Sequence, residues 1–305
     1  ELNVLDGALK ENNSIWIGSD PSSTTNDAIR SVALGDNALD AVTTGDDNVA
    51  IGYNSLTANT TGNDNMGVGY NTLKSNIGGS GNAAIGSGSM ASNTGGDYNT
   101  AVGNNSLNEN EGGDKNVAIG NSSLRDNTSG NNNTSVGKSS SQLITTGDDN
   151  VTLGYQAGNV LTTGNNNVII GSDSDPSALD GSNQIVVGYN ATGQANNSVT
   201  LGNADVTAVY MAQDKGATVY AAGMVVSDAG TIGSASDADA VAISSGGVVT
   251  LSATTASTSA SSGALVVGGG AGVAADLYVG DDLALISDAA VLSLGANKDV
   301  TITHD

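Results

Sequence analysis

Apolar and polar residues alternate along this chain in short bursts that recur every seventeen positions. Each burst reads polar (usually Asn), apolar, small, apolar, Gly, as in Asn48-Val49-Ala50-Ile51-Gly52 and Asn116-Val117-Ala118-Ile119-Gly120. The closing glycines are Gly18, Gly35, Gly52, Gly69, Gly86, Gly103, Gly120, Gly137, Gly154, Gly171 and Gly188, and a shorter last step reaches Gly202. A period of two is a strand signal, and runs such as Thr60-Thr61-Gly62-Asn63-Asp64 between bursts carry turn chemistry. The leucines four residues after the closing glycine (Leu56, Leu73, Leu107) are expected on a second short strand. Two strands and two turns per unit, held in phase without insertions, predict coils of a parallel β-solenoid stacked on copies of themselves. With coils about 4.8 Å apart, some eleven to twelve of them span roughly 50 Å.

The middle residue of each burst points away from its two neighbours. It reads Trp16, Ala33, Ala50, Gly67, Ala84, Ala101, Ala118 and Ser135, and enlarges later to Ile169 and Val186. A strand position facing water would normally carry Thr, Lys or Glu. The small column is therefore assigned to close packing against sister chains. Val49, Ile51, Val117 and Ile119, together with Leu56, Leu73 and Leu107, are assigned to the interior of the coil. Three aliphatic side chains per coil make a thin core against the entropy of seventeen ordered residues. A face shared with identical chains is expected to make up the difference.

Composition sharpens this picture. The 305 residues include 43 Gly, no Cys and no Phe, and aromatic residues are only 3% of the chain. Val, Ile, Leu and Ala instead suit thin, repeated packing. The net charge is −23, and the eight Lys and Arg are scattered. Nucleic-acid backbones require clustered positive charge, so they are not expected partners, nor is membrane insertion. The acidity keeps a solenoid soluble and self-repelling.

Catalytic chemistry has few residues to use. The single histidine, His304, lies next to the C-terminus and reads as a solvated tail residue, which removes Ser-His-Asp chemistry. Carboxylate pairs such as Asp46-Asp47 and Asp148-Asp149 could act as acid and base on a glycan, yet they sit in turns whose own chemistry accounts for them. The same turns could offer oxygens to Ca²⁺, but the spacing differs from known Ca²⁺-binding β-helix repeats. No catalytic residue, cofactor or metal is assigned. Tyr53, Tyr70, Tyr155 and Tyr189 each follow a closing glycine, and Tyr suits carbohydrate or protein contact. They are the candidate receptor contacts, although covering a corner of the coil is the simpler role.

The repeated Asn-x-Val-Ala-Ile-Gly phrase, best matched at Asn48–Gly52, Asn116–Gly120 and Asn197–Gly202, resembles the head repeats of YadA-like trimeric autotransporter adhesins over about two thirds of the chain. That resemblance implies a left-handed parallel β-roll forming a homotrimer. The seventeen-residue period exceeds the usual unit of those heads, which implies longer outer loops. Ser262–Val273 and Leu277–Gly280 are similar to segments of phage tail fibres. The expected organisation is a connector over 1–12, β-roll repeats over 13–202, a neck-like β segment over 203–227 and a Gly/Ser-rich fibre segment over 228–305. The expected function is a trimeric attachment fibre on a virion surface, a phage tail or capsid fibre. Its partners would be other fibre proteins and a host cell-surface glycan or protein. The alternatives are the head of a bacterial surface adhesin and, from another class, a fibre-borne polysaccharide depolymerase.

Overall fold

A computed structural model describes residues 8–11, 13–18 and 27–209, then 231–234, 237–244, 246–251, 265, 267, 271–273, 277 and 279. Backbone contacts divide the chain into two units, Glu1–Gly216 and Ala217–Asp305. The first unit is an all-β solenoid. It begins with β1 (Ala8–Glu11) and β2 (Ser14–Gly18), followed by β3 (Val32–Gly35). One three-residue strand per coil comes next, from β4 (Val49–Ile51) to β11 (Val168–Ile170), and β12 (Gln184–Val187) and β13 (Ser198–Leu201) complete the stack. Each strand from β2 to β13 pairs in parallel with the next, in unbroken register: Ala33 lies beside Ala50, Ala50 beside Gly67, and Gly67 beside Ala84. At the N-terminal end β1 pairs antiparallel with β2, so the first coil carries a strand cap that the repeat pattern does not announce.

Only one strand forms per coil. The leucine segment is a turn, and Leu56, Leu73, Leu107 and Leu124 adopt φ between 50° and 52°. A left-handed leucine costs about 1–2 kcal/mol. The cost is offset because the turn still pairs with its neighbour, as in Leu56 N–H to Thr72 O (3.0 Å) and Leu73 N–H to Ser89 O (3.0 Å), while its side chain is fully buried.

The two faces of the strand are the reverse of the sequence-based assignment. Trp16, Ala33, Ala50, Ala84, Ala101, Ala118 and Ser135 are buried inside their own chain, and Gly67 faces the same interior. The reason is thickness. A Cβ at Gly67 would lie 2.6 Å from Ser55 Oγ and 3.5 Å from Leu56 Cγ, so the strand's inner residue sits directly against the leucine turn. A large Leu on one wall leaves room only for Ala, Gly or Ser on the other. Leu56, Leu73 and Leu107 occupy the interior as expected, but Val49, Ile51, Val117 and Ile119 point outward, with Ile51 36% and Ile119 40% exposed.

The same rule explains why the inner column enlarges toward the C-terminal coils. The turn leucine gives way to Ser141 and then to Gly158. A Cβ on Gly158 would meet Thr152 Cγ2 at 2.9 Å and Ile169 Cδ1 at 3.5 Å, so Ile169 fills the space that leucine takes elsewhere.

Two ladders of buried asparagine amides run along the interior, the first from Asn48 to Asn167 and the second from Asn59 to Asn127. In the first, the Oδ1 of Asn82 accepts from Asn99 N–H (2.9 Å) and Asn99 Nδ2 (3.2 Å), while Asn99 Nδ2 also donates to Gly113 O (2.8 Å). The pattern repeats from Asn48 to Asn167, and Asn167 Oδ1 receives the Gln184 N–H. The second ladder joins Asn59, Asn76, Asn93, Asn110 and Asn127 through Nδ2–Oδ1 bonds of 2.7–2.8 Å. Both ladders donate to the carbonyl of the glycine ten residues after the closing one, such as Gly113. That glycine is required by close approach, because a Cβ on Gly113 would lie 2.4 Å from Gly130 O. The closing glycines are required twice over: Gly103 has φ 138°, and its Cβ would lie 2.5 Å from Gly120 O.

The second ladder stops where Ile144 replaces Asn, leaving the buried Asn127 Oδ1 without a hydrogen bond. Ile144→Asn would supply the missing donor, but its own Oδ1 would then face the buried Leu161 and stay unbonded, so the orphaned acceptor only moves one coil along. What is left is the lost apolar burial of the isoleucine, about 1.5–3 kcal/mol. Denaturant midpoints should therefore show Ile144→Asn less stable than the parent by about that amount, and Ile144→Ala should cost about 2–5 kcal/mol.

In the second unit, β14 (Thr231–Ser234), β15 (Asp237–Ile243) and β16 (Val249–Leu251) form a three-stranded antiparallel sheet. This sheet falls in the Gly/Ser-rich segment expected over 228–305. Most of the neck-like segment expected over 203–227 lies outside the described residues.

Candidate functional site

Three features of the solenoid surface could meet another molecule. The largest is the outer face of the parallel sheet. The two outward residues of each strand form two columns: the one from Ile17 to Leu201 is aliphatic throughout, and the other is mostly so but carries Thr100 and Thr134. Leu34, Ile51, Ile85, Ile119, Val151, Leu153 and Ile185 are all substantially exposed. Twelve strands about 4.8 Å apart extend these columns for some 50 Å. Soluble monomers rarely leave contiguous apolar patches of more than a few hundred Å² uncovered.

The second feature is a ridge formed by the residues that follow the closing glycines. All four tyrosines singled out from the sequence lie on it and are exposed: Tyr53, Tyr70, Tyr155 and Tyr189. Tyr53 and Tyr70, on adjacent coils, stack with ring centroids 5.6 Å apart and planes 13° from parallel. Asn37, Asn54 and Asn71 run beside them as an amide ladder at 3.0–3.1 Å. Farther along, Lys138 Nζ sits 5.9 Å from the centroid of the Tyr155 ring, on the preceding coil. Backbone bonds from Asp173 N–H to Tyr155 O and from Asn190 N–H to Ser172 O (both 2.9 Å) hold this part of the ridge in register.

The third feature lies at the C-terminal end of the stack. A cavity of about 530 Å³ opens there, lined by Asn190, Thr192, Gln194, Thr200, Asn203 and Asp205 among others. Its polar groups are amides, hydroxyls and one carboxylate, set beside Gly202 and Ala204. It forms where the shortened last step and the chain after Gly202 depart from the regular coil, so no repeat motif foretells it.

The acidic turns are occupied by structural work. Asp46 Oδ1 accepts the Ile29 N–H (2.8 Å), and Asp148 Oδ1 accepts both Asn131 N–H (2.7 Å) and Asn131 Nδ2 (3.1 Å). Asp47 forms a two-pronged pair with Arg30 at 2.6 Å, and the guanidinium holds its carboxyl below the usual carboxylate range. Among the described residues, no three His, Cys, Asp or Glu side chains converge on a point where a metal ion could sit. No helix there is long and apolar enough to cross a membrane.

Asp175 is shifted in the opposite direction to Asp47. Half-burial raises its pKa, the N–H groups of Val160 and Asn159 partly offset that effect, and nearby Asp173 adds to the rise. A carboxyl with a raised folded-state pKa favours the fold while protonated, and that contribution is lost as pH rises through the raised value. Asp175→Asn keeps an oxygen for the Val160 N–H (3.2 Å) and removes the charge. Thermal melts should show Asp175→Asn more stable than the parent at pH 7, with the difference closing as pH falls through the ordinary carboxylate range.

No protein-family model matches this chain, and no curated protein matches it either.

Proposed function

We propose that the solenoid is the rigid shaft of a homotrimeric attachment fibre, with three copies meeting through the exposed Val/Ile/Leu columns of their sheets. The observation that carries this reading is the face itself: one aliphatic column unbroken along twelve in-register strands from Ile17 to Leu201, beside a second that only a few smaller or polar residues such as Thr100 and Thr134 interrupt. A second copy is its natural occupant, because the face repeats at a fixed spacing that an identical chain reproduces. A closed cyclic arrangement covers it in every subunit. The interface is thus moved from the alanine column to the opposite side of the strand, while the trimeric expectation is kept.

A stiff trimer presents three copies of each ridge, so weak contacts add up through effective concentration. That suits holding a cell surface. The tail-fibre-like segments beyond residue 228 favour a phage tail or capsid fibre carried on the virion. The repeated Asn-x-Val-Ala-Ile-Gly phrase favours the second reading, the head of a bacterial surface adhesin. Heptads and a membrane barrel in flanking sequence would decide for the adhesin. No geometric observation favours the depolymerase reading, since Asp46, Asp47 and Asp148 are committed to hydrogen bonds of the fold.

The test is co-sedimentation of fluorescently labelled protein with a panel of bacterial cells. The parent should be retained on at least one strain, and a monomeric variant should be retained at least tenfold less. Equal retention of monomer and parent, or no retention on any strain, would overturn the proposal.

A further inference from the structure

We infer that the ridge between Tyr155 and Tyr189, together with the adjoining cavity, is a binding site for a neutral glycan. This deepens the attachment reading and rests on it for its biological setting, though not for its chemistry. Tyr155, Ser172 and Tyr189 occupy the same ridge position on three successive coils. Where two tyrosines are adjacent, as Tyr53 and Tyr70 are, the rings close on one another at 5.6 Å. Between Tyr155 and Tyr189 the intervening residue is Ser172, so the two aromatic positions stand about two strand spacings apart, roughly 10 Å.

The Tyr155 ring has Lys138 over one face, on the side of the preceding coil. Its other face therefore turns toward the Ser172 coil. The result is a slot walled by two exposed tyrosines, with a small hydroxyl at its floor. A flat aromatic ring in contact with both walls would need only about 7–8 Å. A puckered sugar ring, with hydrogens on both faces, is thicker and fits the wider gap.

The polar groups around the slot agree with a sugar. Gln156, Asp173 and Asn190 follow the three ridge residues, and among the described residues none of their side chains makes a hydrogen bond within the protein. Two amides and a carboxylate offer the mixture of donors and acceptors that adjacent hydroxyls require. Asn190 also lines the 530 Å³ cavity, whose other groups include Thr200 and Asp205. That volume lies within the range of ordinary ligand sites, and it provides room for a second sugar residue beyond Tyr189. Charge selects the class. Asp173 and Asp205 on a chain of net charge −23 disfavour sialic or uronic acids, leaving neutral sugars and their N-acetylated forms.

The experiment uses the full chain on a glycan array carrying neutral and acidic oligosaccharides. Neutral trisaccharides that bind are then titrated by saturation-transfer NMR. Tyr155→Ala and Tyr189→Ala should each weaken binding at least tenfold, whereas Tyr53→Ala should leave it within twofold. Ser172→Tyr provides a variant that removes no tyrosine. The fold already accepts tyrosines on adjacent coils at Tyr53 and Tyr70, and this change should fill the slot and abolish binding while the solution mass stays that of the parent. Acidic glycans binding as well as neutral ones, or neutral binding unaffected by Ser172→Tyr, would overturn the inference. Parent protein that is retained on cells but binds no neutral glycan would sink the glycan site alone. Glycan binding without retention on any cell would sink the attachment reading alone.

Discussion

Replacing Ile51, Ile85 and Ile119 together by Asp should convert the proposed trimer to monomers while leaving the coil intact. All three side chains lie outside their own core, at 36–40% exposure in the single chain. Their removal therefore empties no cavity. Within a trimer each Asp would be enclosed against the aliphatic columns of the neighbouring subunits, without a partner charge. An unpaired buried charge costs several kcal/mol. With three per chain, the sum exceeds what association at micromolar concentration supplies, about 8 kcal/mol. Light scattering should report about a threefold fall in mass, and circular dichroism an unchanged β signal. A variant that unfolds would place these side chains in the core; one that keeps the parent mass would place the interface elsewhere.

The second large effect belongs to the interior amides. Asn99→Leu removes four hydrogen bonds at once: two accepted from Asn116, and two donated to Asn82 Oδ1 and Gly113 O. Gly113 O keeps its bond from Asn110, and Asn82 Oδ1 keeps the backbone N–H of residue 99. The Asn116 N–H keeps nothing. One orphaned buried donor costs about 1–3 kcal/mol, and the remaining three bonds about 1 kcal/mol each, so the expected loss is about 4–6 kcal/mol. Asn104→Leu, on the exposed ridge, should change stability by less than about 0.5 kcal/mol. Urea midpoints of the two variants measure the contrast directly. Equal losses would mean that the ladder adds nothing to an ordinary surface asparagine.

How far the sequence discloses this molecule depends on which residues carry the signal. Gly103 and Gly113 disclose the coil, because each is demanded by a carbonyl of the next coil and neither can drift out of phase. The period-two pattern at Val49-Ala50-Ile51 discloses a strand but not which face looks inward. Both faces are apolar, and the deciding residue, Leu56, is in a turn whose positive φ no propensity predicts for leucine. Once Leu56 is placed inside, volume allows only a small residue opposite, and Ala50 follows. Asn99 is legible as part of a ladder, but the depth of that ladder is not. Asparagine is read by habit as a turn residue, and here Asn48 through Asn167 are fully enclosed.

The surface sites divide in the same way. The tyrosine column is legible because its spacing matches the coil. The slot at Ser172 emerges only when the stacked pair Tyr53–Tyr70 shows what adjacent rings do. The cavity near Asn190 and Asp205 arises where the period breaks, and a period carries no information about its own interruption.

Sedimentation equilibrium of the 305-residue chain at micromolar concentration is the decisive measurement of the proposed trimer. A single species of three chain masses is expected. A single species of one chain mass, stable with its Val/Ile/Leu face in water, would contradict it.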